Sequence, residues 1–104
     1  MSTPDYARVL RRTRRRAILE ILAEADENAA SEIMLEPVLA ARRVYGSDRD
    51  AIRTEIAWLG DQGLVKVEDI GGVLFCTLLA GGASIAAGRR VHPDVEKRPL
   101  NREA

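Results

Sequence analysis

Arginine is the residue type through which this sequence could do chemistry. Arg49 and Arg53 stand one helical turn apart with Thr54 beside them, while Arg8, Arg11, Arg12, Arg14, Arg15 and Arg16 crowd the N-terminal region. A guanidinium bonds phosphate oxygens and can grip O6 and N7 of guanine bidentately; a threonine hydroxyl can read a base or hold a phosphate. Nothing else in the sequence offers comparable chemistry. Cys76 is the single cysteine and His92 the single histidine, which leaves no intrachain disulfide and no paired-thiol zinc site. There is no Gly-x-Ser-x-Gly elbow, no phosphate loop and no metal-ligand spacing. Asp26, Glu27, Glu32 and Glu36 are scattered over a linker and a helix start, where acids suit the helix dipole. The expectation is therefore no enzyme, no cofactor and no metal.

The elements that must position these arginines follow from periodicity. At about 100° per residue, Tyr6, Leu10, Thr13, Ala17 and Ile21 share a helix face, widened by Ile18, Leu22 and Ala25, with Arg8, Arg12 and Arg15 opposite. This predicts a first helix over about 4–25, with Pro4 in its first turn. Asp26 to Ala30 reads as a polar link. Ser31 caps a second helix over about 31–43 whose core face is Leu35, Val38 and Leu39. Pro37 implies a kink, or a start near Glu36. Ser47 with Asp50 forms a capping-box pattern for a third helix over about 48–62, with Ile52, Ile56 and Leu59 on its buried stripe.

Gly63 stops that helix, in a position where a Schellman motif brings Leu64 back to Leu59. A two-stranded wing follows over about 64–78, turning at Ile70-Gly71-Gly72. A last helix made almost entirely of small residues spans about 80–88, and 89–104 reads as a flexible tail. Trp58 sits at the edge of the third helix, placed to fix helix against wing. Cys76 shares a strand face with Leu74 and Leu78 and reads as a small buried hydrophobe; Phe75 points outward, suggesting a dimer contact or cover from the tail.

The fold class expected is mainly α with a two-stranded β wing, a winged helix-turn-helix in the order α-α-α-β-β-α, with the globular domain spanning 1–88. In that fold the third helix enters the major groove, making Arg49, Arg53 and Thr54 the base-reading candidates; Arg8, Arg11, Arg12, Arg15 and Lys66 are the phosphate candidates. Charge argues in both directions. The chain carries 16 basic and 16 acidic side chains, so no general attraction to DNA exists. Residues 47–62 hold two arginines against four carboxylates, and 64–78 hold one lysine against two, the wrong sign for phosphate binding. The N-terminal arginines are the one basic block. No apolar run approaches the roughly 20 residues that span a bilayer, and none follows those arginines as a secretion signal requires. A cytoplasmic protein without a membrane partner is expected.

The element order, together with AWLGDQGLVKVEDIGG and the LxxxG of Leu78 to Gly82, resembles bacterial winged-helix regulators of the ArsR and MarR type. More narrowly, ILEILAEA, AWLxxQGLVxVEDxGGV and AAGR look like small ArsR-like proteins encoded in Mu-like prophages, over roughly 15–92. The resemblance implies a DNA-binding transcriptional regulator, phage or prophage encoded, binding double-stranded DNA as a homodimer in a bacterial host. Two positions depart from it. The paired-cysteine motif of metal-sensing members is absent, so no metal response is inferred. Leu79 stands where many MarR-type chains have a capping threonine, so a late or frayed last helix is expected. The alternative is a winged-helix protein-interaction or virion-associated module without DNA binding, motivated by the acidic third helix.

Overall fold

The computed structural model describes residues 5–98. Pro4 and residues 99–104 lie outside the described residues. Along the chain run α1 (Tyr6–Glu24), a 3-10 turn (Asp26–Asn28), β1 (Ala29–Ser31), α2 (Glu32–Ala41), α3 (Arg49–Asp61), β2 (Val65–Ile70), β3 (Val73–Leu78) and α4 (Ala80–Ala86). Four helices thus accompany a three-stranded antiparallel sheet of order β1-β3-β2.

The third strand corrects the expected two-stranded wing and the order α-α-α-β-β-α. Ala29, Ala30 and Ser31, expected as part of a polar link, pair with Thr77, Cys76 and Phe75. Three residues are too few for a period of two to register, and the partner strand is supplied 46 residues further on. The link before β1 has its own work. Glu27 and Asn28 both adopt positive φ, and the Asn28 side-chain amide donates to the carbonyls of Leu22 and Ala23, covering acceptors left open at the end of α1.

Helix ends are set by local chemistry, not always by the residue expected. Ser31 caps α2 by accepting from the Met34 N–H, so that helix begins at Glu32 in spite of Pro37 and not near Glu36. Asp48 caps α3 by accepting from Ala51, because the Ser47 hydroxyl is drawn inward, donating to the Val44 carbonyl while accepting from Arg14 Nε. The α3 C-terminus has the expected Schellman geometry: Gly63 at φ +73°, its N–H bonded to the Gly60 carbonyl, and the Leu64 N–H bonded to Leu59. Helix α4 starts immediately after Leu79, without a side-chain cap; the Leu79 N–H donates to the Leu64 carbonyl instead, which ties the helix start to the chain leaving α3.

One apolar core lies between the helices and the inner sheet face. Ile18, Leu19 and Leu22 of α1, Leu35 and Leu39 of α2, Ile52, Ile56 and Leu59 of α3, Cys76 of β3 and Ile85 of α4 are all fully buried within it. Burial pushes the Cys76 thiol up to about 12, so it stays protonated in the folded protein.

The segment after α4 does not hang free. Val95 is buried in the core, the Glu96 N–H donates to the Arg12 carbonyl, and Arg15 and Arg16 donate to the carbonyls of Asp94 and Glu96. The flexible tail expected from residue 89 is therefore packed against α1 through Asp94 to Glu96, and Arg98 donates back to the Ala87 carbonyl at the end of α4. Its polar composition concealed this, since a single valine supplies the apolar anchor and backbone carbonyls supply the rest. Val95→Ala is expected to lower stability by about 1–2 kcal/mol, measured as a shifted urea midpoint followed by Trp58 fluorescence.

Candidate nucleic-acid interface

On α3, Asp50, Thr54 and Ala57 face away from the Ile52-Ile56-Leu59 stripe and Arg53 lies beside it, whereas Arg49, expected to face away as well, sits at its border. The two arginines are not free on that face. Glu32, the first residue of α2, places a fully buried carboxylate beneath them. Its Oε1 accepts from Arg49 Nε at 3.0 Å and lies 3.5 Å from Arg53 Nε. Its Oε2 accepts from Arg49 Nη2 at 3.3 Å and from the Leu74 N–H at 2.7 Å. Arg49 Nη2 also donates to the Gly72 carbonyl at the β2–β3 turn. Even so, 46% of the Arg49 side chain and 38% of Arg53 remain exposed. The Thr54 hydroxyl is exposed and donates to the Asp50 carbonyl one turn back.

Sequence reasoning assigned Glu32 only to the helix dipole and so missed this junction of α2, α3 and the hairpin. Arg49 carried a faint signal, since it lies about 20° from Ile56 on the helical wheel, at the border of the buried stripe. The hydrogen bond from Arg49 holds the Glu32 carboxyl below its usual range, against the opposing effect of burial. A depressed carboxylate contributes stability in full above its unfolded pKa and loses it as pH falls through the folded one. The window therefore lies below about pH 4.5, the ordinary value. In urea titrations, the margin of wild type over Glu32→Gln should hold at neutral pH and shrink below pH 4.5.

The second buried carboxylate, Glu55, faces α1. Arg15 Nε donates to it at 2.8 Å, Arg14 Nη1 lies 3.5 Å away, and the Arg15 guanidinium stacks 3.9 Å above the Trp58 ring. His92 meets the same ring edge-on at 5.2 Å and pairs with Gln62. Trp58 therefore joins α3 to α1 and to the packed tail. Placement of Glu55 removes one of the four acids of residues 47–62 from the outer face; Asp48 is committed to the N-cap. Glu32 takes its place at the start of α3, directly beneath Arg49 and Arg53, so the charge balance of that face stays close to the sequence sum.

The phosphate candidates are not brought together. Arg12 lies 3.8 Å from Glu96 and Arg15 is committed to Glu55, Trp58 and the Asp94 carbonyl, so both belong to the α1 packing. Arg8 and Arg11 are exposed on the first turns of α1. Lys66 is exposed on the outer sheet face, opposite Thr77 and on the other side of the sheet from buried Val65. Phe75, on that same outer face, is not covered by the tail, which runs along α1. Among the described residues there is no group of acids, histidines and cysteines able to hold a metal, and no helix is long and apolar enough to cross a membrane.

A protein of Escherichia phage Mu, named "Uncharacterized protein gp26", is 38% identical over 96 residues, covering 90% of this chain and 95% of its own length. The chain belongs to the phage Mu gp26 family. That relationship fits the expected Mu-like phage origin. No family model and no solved structure matches the chain. In this gp26-family chain, the helices, the sheet and the Glu32 and Glu55 clusters frame the α3 face as the candidate site.

Proposed function

We propose that this gp26-family protein is a winged helix-turn-helix that binds double-stranded DNA through the exposed face of α3 and acts as a phage-encoded transcriptional regulator in the bacterial cytoplasm. The supporting observation is the pair Arg49 and Arg53, side by side on the outer face of α3, half exposed and anchored from behind by Glu32. In this reading Thr54 completes the face, and the β2–β3 hairpin, joined to Arg49 through the Gly72 carbonyl, serves as the wing. Arg8 and Arg11 supply phosphate contacts, and Lys66 a further one from the sheet. One α3 reads few bases, so a homodimer that reads two half-sites is proposed with it.

Salt-titrated mobility shifts on phage genomic fragments test this reading. Binding is expected at low salt, with affinity falling steeply as salt rises; Arg8→Ala with Arg11→Ala should reduce the salt slope by about 2, and Arg53→Ala should change which sequences a selection recovers. No shift at low salt would overturn DNA binding. A protein-interaction or virion-associated role is then favoured by a specific feature of α1: Tyr6, 75% exposed, and Val9 form an apolar strip beside the exposed Arg8 and Arg11 on its first turns.

A further inference from the structure

We infer that Glu32 is a positioning residue that trades affinity for discrimination: by fixing Arg49 and Arg53 it sharpens sequence reading by α3 while weakening attachment to arbitrary DNA. The inference rests on the DNA-binding role proposed above.

The carboxylate itself cannot swing. It is fully buried, and the short bond from the Leu74 N–H fixes Oε2 to the hairpin. Arg49 is held through Nε and Nη2, with a third tether from Nη2 to the Gly72 carbonyl, which leaves Nη1 without a partner among the described residues. Arg53 approaches the same carboxylate only through Nε, as an ion pair at 3.5 Å, and its terminal nitrogens have no partner among the described residues. A guanidinium carries five N–H donors in a rigid plane, and fixing one edge of that plane aims the other. Arg49 held this way presents its remaining donors at a set position, where mispositioned base acceptors cannot be met by a change of rotamer, and the charge of Glu32 biases Arg53 toward the same face. The same carboxylate cancels one of the two positive charges at the face, which reduces the counterion release that drives non-specific binding.

These two effects have opposite signs, and loss of folding would give neither pattern. The probes are a duplex enriched by the wild-type protein from a random library and a scrambled duplex of equal composition. For Glu32→Gln, affinity for the scrambled duplex should rise about five- to tenfold near 0.1 M salt. Its ratio of affinities between the duplexes should fall about tenfold, the share of one bidentate base contact. In an Arg49→Ala background the same substitution should change the ratio much less, since Glu32 acts through Arg49. If Glu32→Gln does not fold by circular dichroism, Glu32→Asp replaces it. That variant keeps the charge and withdraws the carboxylate by one methylene, so it should lose discrimination with no gain on the scrambled duplex.

A wild-type protein that discriminates, beside a folded Glu32 variant with an unchanged ratio, overturns the role of Glu32 and leaves DNA binding intact. A wild-type protein that binds neither duplex removes both.

Discussion

Glu55→Ala is expected to lower stability by about 3–5 kcal/mol, the range for breaking a buried ion pair from one side. The Glu55 side chain is 1% exposed, with Arg15 at 2.8 Å and Arg14 at 3.5 Å. Arg15 can turn partly to solvent along the Trp58 ring, but Arg14, itself buried, keeps only Ser47 Oγ and the Gly46 carbonyl for a full positive charge. The substitution therefore strands a cation and opens a void between α1 and α3. Since domains of this size are stable by roughly 5–15 kcal/mol, the variant should approach the threshold of folding. Urea denaturation followed by Trp58 fluorescence measures this. A loss below about 1 kcal/mol, the scale of a surface ion pair, would mean that Glu55 is solvated and that the α1–α3 junction is described wrongly.

Gly82→Ala comes next, and its neighbour supplies the control. A Cβ at Gly82 would lie 2.3 Å from the Leu64 carbonyl oxygen, 2.8 Å from Leu78 Cδ1 and 3.2 Å from Leu19 Cδ2. The Leu64 carbonyl cannot yield, because it accepts the Leu79 N–H that starts α4. Overpacking against fixed backbone should cost about 2–3 kcal/mol, beyond any gain in helix propensity. A Cβ at Gly81 meets chiefly the mobile end of Arg90, at 2.8 Å. Gly81→Ala should therefore be neutral or stabilising by up to about 1 kcal/mol. Thermal unfolding of the two variants should move in opposite directions or differ widely. Equal midpoints would show that α4 does not pack against Leu64 as closely as described.

Much of this protein was legible in the sequence wherever the deciding information is local. The apolar period of α3, the Ser31 cap, the Gly63-Leu64 stop and the Gly71-Gly72 hairpin are each fixed by residues a few positions apart, and all occur in the structure; the face expected of α1 holds only in part, since Tyr6 is exposed and Leu19, on the side of Arg8 and Arg12, is fully buried. Even the burial of Glu55 was within reach, since it lies about 40° from Leu59 on the wheel, closer to the stripe than a solvent-facing acid should be.

What the sequence could not determine was the fate of its charges. Arg12, Arg14, Arg15 and Arg16 formed one basic block by position, yet each is committed to partners across the fold: Arg12 to Glu96, Arg14 to Ser47 and Glu55, Arg15 to Glu55 and Trp58, and Arg16 to the carbonyls of Ala86 and Glu96. Strand β1 and the packed tail were hidden for the same reason, each depending on a segment distant along the chain. A helical angle gives the direction of a side chain but not what waits there. Local spacing therefore settled the helices, the hairpin and the outward aim of Thr54, and only the tertiary structure brought Glu32 beneath Arg49 and Arg53, because a buried carboxylate is stable only where folding delivers cations and N–H donors from other elements to meet it.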